Sequence, residues 1–150
     1  MTIDAEKVGR NLHLTMEGVD EPFVIRPLPG NAGAQITRTY IDAALGNGGD
    51  KFPDALRMAV DGARKNAITG VWEPLPEAER TTYTRIGDEL SQAESEEIVM
   101  AAFFWQTVLG MDGVASFLQG GGGIAGSLKA QKALLARLGL LARMTSPSSE

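Results

Sequence analysis

One segment limits the choice of fold more than any other: Ile98-Val99-Met100-Ala101-Ala102-Phe103-Phe104-Trp105-Gln106-Thr107-Val108-Leu109-Gly110. It is too apolar for a helix lying on a surface. It is also too short to cross a bilayer, which takes roughly 18 or more apolar residues, and Gln106 and Asp112 interrupt it. Three successive aromatics span about 200° of a helix at ~100° per residue. No single stripe holds all three, so two arrangements stay open. The helix is central in its own domain, or one face meets a partner.

The rest of the chain supplies a body for such a helix. With 150 residues it is long enough for one domain with its own core. Leu12-His13-Leu14-Thr15-Met16 alternates with the period of a half-buried strand. Phe23-Val24-Ile25-Arg26-Pro27-Leu28 reads as a second strand, with Pro22 and Pro27 placing it at an edge. Together they predict an antiparallel hairpin. A helix follows, capped at Asn31, with Ile36, Tyr40, Ile41, Ala44 and Leu45 at helical spacing. Phe52 to Lys65 predicts another. Leu75-Pro76-Glu77 opens a third, carrying Tyr83, Ile86 and Leu90. Ser95 is the expected cap of the apolar aromatic helix, and Gly110 its end. Asp112 is placed to cap a short helix, Gly113 to Gln119.

The expected class is therefore mainly α, a helical domain with a small N-terminal antiparallel hairpin and a glycine-hinged C-terminal helix. In this division residues 1–119 form the hairpin and helical body, and 120–127 a glycine-rich hinge. Residues 128–144 form a leucine-rich helix, and 145–150 a disordered polar tail. Three covers are open to the last helix: its own domain, another copy of the chain, or an apolar helix of a client.

Charge narrows the function. The net charge of −5 argues against general nucleic-acid binding, which needs a basic face. Acids crowd Glu73 to Glu97, whereas Gly113 to Ser149 holds Lys129, Lys132, Arg137 and Arg143 and no acid. These two regions are suited to attract each other within or between chains. The absence of cysteine removes disulfides and thiolate metal sites and suits a reducing cytoplasm. The N-terminus is acidic and lacks an apolar core, unlike a signal peptide. No membrane association is expected; the basic terminal helix has no aromatic anchor for one.

No catalytic set emerges. Gly121-Gly122-Gly123-Ile124-Ala125-Gly126 has the letters of a dinucleotide-binding turn. That chemistry needs a strand before it and an acid about 20 residues on; helix precedes it here, and no acid lies between Asp112 and Glu150. A flexible hinge is the better reading. His13, the single histidine, falls on an alternating strand where a solvent-facing position is the default. The paired acids Asp88-Glu89 and Glu94, Glu96 and Glu97 fall at helix ends, where the dipole favours them. With no nucleophile–base pair to assemble, a non-enzymatic chain without cofactor or metal is expected.

The order of these features resembles the tail assembly chaperones of long-tailed, siphovirus-type bacteriophages. The likeness is closest to the small family encoded just before the tape measure protein in phages of actinobacteria. The resemblance rests on the hairpin Leu12 to Leu28, the stretch Tyr83-Thr84-Arg85-Ile86-Gly87-Asp88-Glu89-Leu90, and the helix Ala101-Ala102-Phe103-Phe104-Trp105. Gly113-Val114-Ala115-Ser116-Phe117-Leu118 and a variable polar C-terminus complete it. It covers most of the chain from Leu12 onward, with the Phe-Phe-Trp helix its most specific part. The glycine run and the leucine-rich last helix are less typical of the family.

The resemblance implies a protein that binds the long, helical tape measure protein and keeps it soluble while tail tube subunits polymerise. It implies a short form made beside a frameshifted long form that recruits tail tube protein. Both act in the host cytoplasm and are absent from the mature virion. This chain corresponds to the short form, and Ser146-Pro147-Ser148-Ser149 suits continuation into a linker. On this reading Phe103, Phe104, Trp105, Leu109, Leu134, Leu138 and Leu141 contribute to contacts with the client or with a second copy. The alternative is a structural head–tail connector or tail completion protein retained in the virion.

Overall fold

The structure is a computed structural model, and it describes residues 3–139. It is mainly α, with an antiparallel sheet at the N-terminal end, as the periodicities predict. Strands β1 (Ile3–Val8), β2 (Asn11–Met16) and β3 (Phe23–Ile25) pair antiparallel in that order. The expected hairpin is β2 with β3, in register Leu12↔Ile25 and Leu14↔Phe23. All four of these side chains, with Met16, point into the core, because successive residues of a strand alternate faces. His13 and Thr15 take the other face. β1 is an addition to the expected topology. Of its pattern Ile-Asp-Ala-Glu-Lys-Val only Ile3 and Ala5 pack against the core, and both are only partly buried.

Six α-helices follow among the described residues: α1 (Gly30–Ala44), α2 (Phe52–Asp61), α3 (Thr81–Glu89), α4 (Gln92–Gln106), α5 (Met111–Gln119) and α6 (Gly123–Arg137). Several boundaries differ from the expected ones, each for a local reason. α1 begins after Pro29 with no side-chain cap, so Asn31 lies within the first turn. α2 stops at Asp61, because Gly62 takes φ +106 and turns the chain. Residues beyond it form a short hairpin, β4 (Ala63–Lys65) with β5 (Trp72–Pro74). The Gln35 side chain meets the backbone of β5, accepting from Trp72 N at 2.9 Å and donating to Trp72 O at 2.8 Å. A side-chain amide thus satisfies backbone groups on that strand.

Leu75-Pro76-Glu77 leads into a single 3₁₀ turn, Glu77–Glu79, and α3 starts at Thr81. Its first turn is capped from outside: the Asp61 carboxylate accepts from Thr82 N and Tyr83 N at 3.0 and 2.7 Å. For α4 the cap is Ser91, not Ser95. Ser91 Oγ accepts from Glu94 N while Glu94 Oε1 accepts from Ser91 N, the reciprocal capping box. Ser95 Oγ instead donates to Ile86 O.

α4 is the central element. Every residue from Ile98 to Trp105 is buried, and α4 packs against α2, α3, α5 and α6 as well as β2. Phe103 and Phe104 are 0% exposed and their rings meet edge-on at 5.3 Å. Tyr40, Phe52 and Phe117 complete the aromatic cluster. Of the two arrangements left open by the sequence, the central one is observed.

The glycine run is the other correction. It is a closed turn between helices, not a free linker. Gly122 N donates to Phe117 O and Gly121 N to Leu118 O, both at 3.0 Å. With Gly121 at φ +89, this is the Schellman pattern that ends a helix at glycine. α6 then begins at Gly123 and packs along α5. At Gly126 a side chain would overlap the Phe117 carbonyl, so the approach of the two helices requires glycine there. Residues 123–127, expected in the hinge, are helical. Leu141, the end of the expected 128–144 helix and the 145–150 tail lie outside the described residues.

Candidate functional site

The partner-contact residues expected from the sequence fall into three groups. Phe103, Phe104 and Trp105 are in the domain's own core, with Trp105 only 8% exposed. Their apolar area is already covered by Tyr40, Phe52 and Phe117 and by neighbouring helices, which removes them from any surface site. Leu134 is likewise core, at the interface of α6 with the body. Leu109 is half-buried against that core in the α4–α5 link. Among the described residues of this set, Leu138 alone presents substantial area to the outside, at 41% exposure.

Leu138 leads to a groove of about 740 Å³ between α1, the residues that end α4, and the C-terminal end of α6. Its apolar walls come from Leu28, Ala34, Ile41, Val108 and Leu138. Three of these are positioned by identifiable chemistry. Leu28 is fixed because its N–H donates to Gln106 Oε1 at 2.9 Å. Gln106 Nε2 donates in turn to Arg26 O at 2.8 Å and Ala59 O at 2.9 Å. Val108 is turned outward by the break after α4, where Thr107 Oγ1 donates to Phe104 O at 2.6 Å. Ala34 stands beside Gly33, which lets α1 approach closely: a Cβ on Gly33 would sit 3.0 Å from Gln106 O. Arg38 and Asp42, one helical turn apart on α1, add opposite charges to the lining.

Thr37, Arg38, Asp42, Gln106 and Thr107 share the lining with the five aliphatic side chains, so the groove is a mixed concave surface of a kind that can take an amphipathic segment. Sequence reasoning singled out Leu138 but missed α1 as the other wall. Ala34, Arg38 and Ile41 recur at the i, i+4, i+7 spacing. That signal is present, but Arg38 in its middle makes it look like an ordinary solvated face. In the sequence Gln106 is only an interruption of an apolar run. It is the residue that joins the β3–α1 link, α2 and α4.

The electrostatics are modest. Among the described residues the ion pairs are Arg57–Asp54, Arg64–Glu79 and Arg85–Glu89, all exposed or partly so. None joins the acidic Glu73–Glu97 block to Lys129, Lys132 or Arg137. Arg85 does more than pair: its guanidinium lies 4.1 Å from the Phe23 ring centroid and donates to the carbonyls of Glu21 and Pro22. Tyr40 donates to Gln131 Oε1 at 3.3 Å, and burial of its phenol pushes its pKa up to about 12. Among the described residues no group of three or more His, Asp or Glu is arranged to hold a metal ion. Nor is any helix there long and apolar enough to cross a membrane.

The fold is thus a mainly α domain with a three-stranded antiparallel sheet and a surface groove. No protein-family model, curated protein or solved structure matches this chain.

Proposed function

We propose that this chain is the short form of a phage tail assembly chaperone. It binds the tape measure protein in the host cytoplasm and keeps it soluble during tail tube polymerisation. It is absent from the mature virion, and a frameshifted long form recruits tail tube protein. The observation that carries the reading is the aliphatic groove between α1 and α6, with Leu138 on its wall. A long, aggregation-prone helix needs a receptor that covers its apolar stripe one segment at a time. A groove walled by aliphatic side chains on a well-packed scaffold meets that need. The aromatic helix supports the reading in another way, by giving the scaffold a rigid centre.

The test is co-expression with the large helical protein encoded immediately downstream, followed by size-exclusion chromatography. The expected result is a downstream protein that is soluble and co-elutes only when this chain is present. If it aggregates regardless while mass spectrometry finds this chain in purified virions, the protein is a connector or tail completion subunit instead.

A further inference from the structure

A second depression, of about 350 Å³, lies between the first halves of α4 and α6. Its floor is aromatic, made of Tyr40, Phe52 and Phe117. One rim carries Ile124 and Leu128, spaced i, i+4 on α6 and exposed to 83% and 60%. Two such aliphatic side chains, one turn apart, bury little of themselves in the domain. Both are surplus to the core that Ala130 and Leu134 of the same helix complete.

On α4, Glu96 and Glu97 also line this depression, and neither belongs to an ion pair among the described residues. The Glu97 carboxylate lies over Gly122, where φ is +67, in space that a Cβ at that position would take. A purely apolar occupant would desolvate these carboxylates without compensation, and an acidic one would be repelled. An occupant carrying lysine or arginine beside its apolar stripe satisfies both requirements. The groove lies between two helices, and its aliphatic anchors have helical spacing, which suits a third helix laid alongside.

We propose that the α4–α6 depression is a docking surface for a basic amphipathic helix of another protein. Its apolar residues cover Ile124 and Leu128, and its lysines or arginines meet Glu96 and Glu97. The surface is separate from the α1–α6 groove, and the proposal stands independently of the tail-assembly reading.

The probe is a labelled leucine/lysine amphipathic peptide of about 18 residues, long enough to hold a helix once docked, read by fluorescence anisotropy. The same peptide with glutamate replacing every lysine is its control. The expected result is saturable one-to-one binding of the lysine peptide, with the glutamate peptide at least about tenfold weaker. Ile124→Asp with Leu128→Asp abolishes binding, and Glu96→Lys with Glu97→Lys weakens it about tenfold or more. Asp4→Lys with Glu6→Lys, which changes net charge equally on β1, leaves it within about twofold. Both rim residues are exposed, so thermal melting shows these variants folded. Equal weakening by the β1 pair, or binding indifferent to Ile124 and Leu128, overturns the proposal. So does sedimentation of the protein alone as a dimer that Leu128→Asp makes monomeric, which assigns the surface to a second copy.

Discussion

Gln106 makes three hydrogen bonds with one amide, to Leu28 N, Arg26 O and Ala59 O. No aliphatic residue reproduces them, although the position follows the apolar run Ile98 to Trp105. Gln106→Leu leaves a donor and two acceptors without partners, at an expected cost of about 2–3 kcal/mol in urea unfolding. It also releases Leu28, so the α1–α6 groove loses a wall. Gln106→Glu is expected to be no better, since a carboxylate facing two carbonyls cannot donate to them. At this scale the sequence was readable where a side chain's role follows from periodicity, as for Leu12, Leu14 and Ile98. It was not readable where the role depends on backbone groups brought from 47 to 80 residues away, as for Gln106.

Tyr40 carries a residue-level prediction about pH. Its folded pKa of about 12 lies above the ordinary tyrosine value of 10.0 because burial disfavours the phenolate. The folded state therefore holds this proton more tightly than the unfolded chain does. The linked stability is fully present below pH 10 and declines as pH rises toward 12. The expected slope approaches ~1.4 kcal/mol per pH unit in that window, measured by denaturant unfolding at several alkaline pH values. In Tyr40→Phe that component of the slope disappears.

Elements are set by their ends more than by their middles in this chain. α4 is stopped and started by local chemistry, the Ser91–Glu94 box at one end and the Thr107 break at the other. The box was missed because Ser95 is followed by two acids of its own, and spacing alone does not choose between two serines four residues apart. The Gly120–Gly123 run was misread for a similar reason. Composition makes four glycines look like a linker, whereas Gly121 and Gly122 close the end of α5 by hydrogen bonds.

Two glycine substitutions of opposite sign test this account of the elements. Gly121→Ala forces a side chain into φ +89 and is expected to cost about 1–2 kcal/mol. Gly87 lies in α3 with nothing within 4 Å of an added Cβ, so Gly87→Ala is expected to stabilise by about 0.5–1 kcal/mol. Thermal or urea unfolding reads both. A free hinge would instead leave Gly121→Ala nearly neutral.

For the whole molecule, the aromatic segment explains why the surface sites lie elsewhere. A helix apolar on all sides takes the centre, and the amphipathic elements arrange themselves around it. Their outward apolar residues, Val108 and Leu138 on one groove and Ile124 and Leu128 on the other, are the ones the two proposals assign to partners. The class and the N-terminal hairpin were legible because hydrophobic periodicity reports burial directly. The grooves were not, because each combines residues from elements whose packing no local pattern encodes. β1 is not legible because its apolar residues Ile3, Ala5 and Val8 break the alternation and none is fully buried, and the β4–β5 hairpin because each strand has three residues and Gln35 anchors β5 from another element.

The most direct measurement of the central claim is soluble yield of the downstream helical protein when co-expressed with an Ala34→Arg variant. Ala34 is an exposed residue of α1 on the groove wall, so the substitution fills the groove and spares the core. The account predicts an unchanged melting temperature for the variant and loss of most of the co-eluting client relative to wild type. A variant that is folded and still solubilises its client as well as wild type would contradict the claim that this groove holds it.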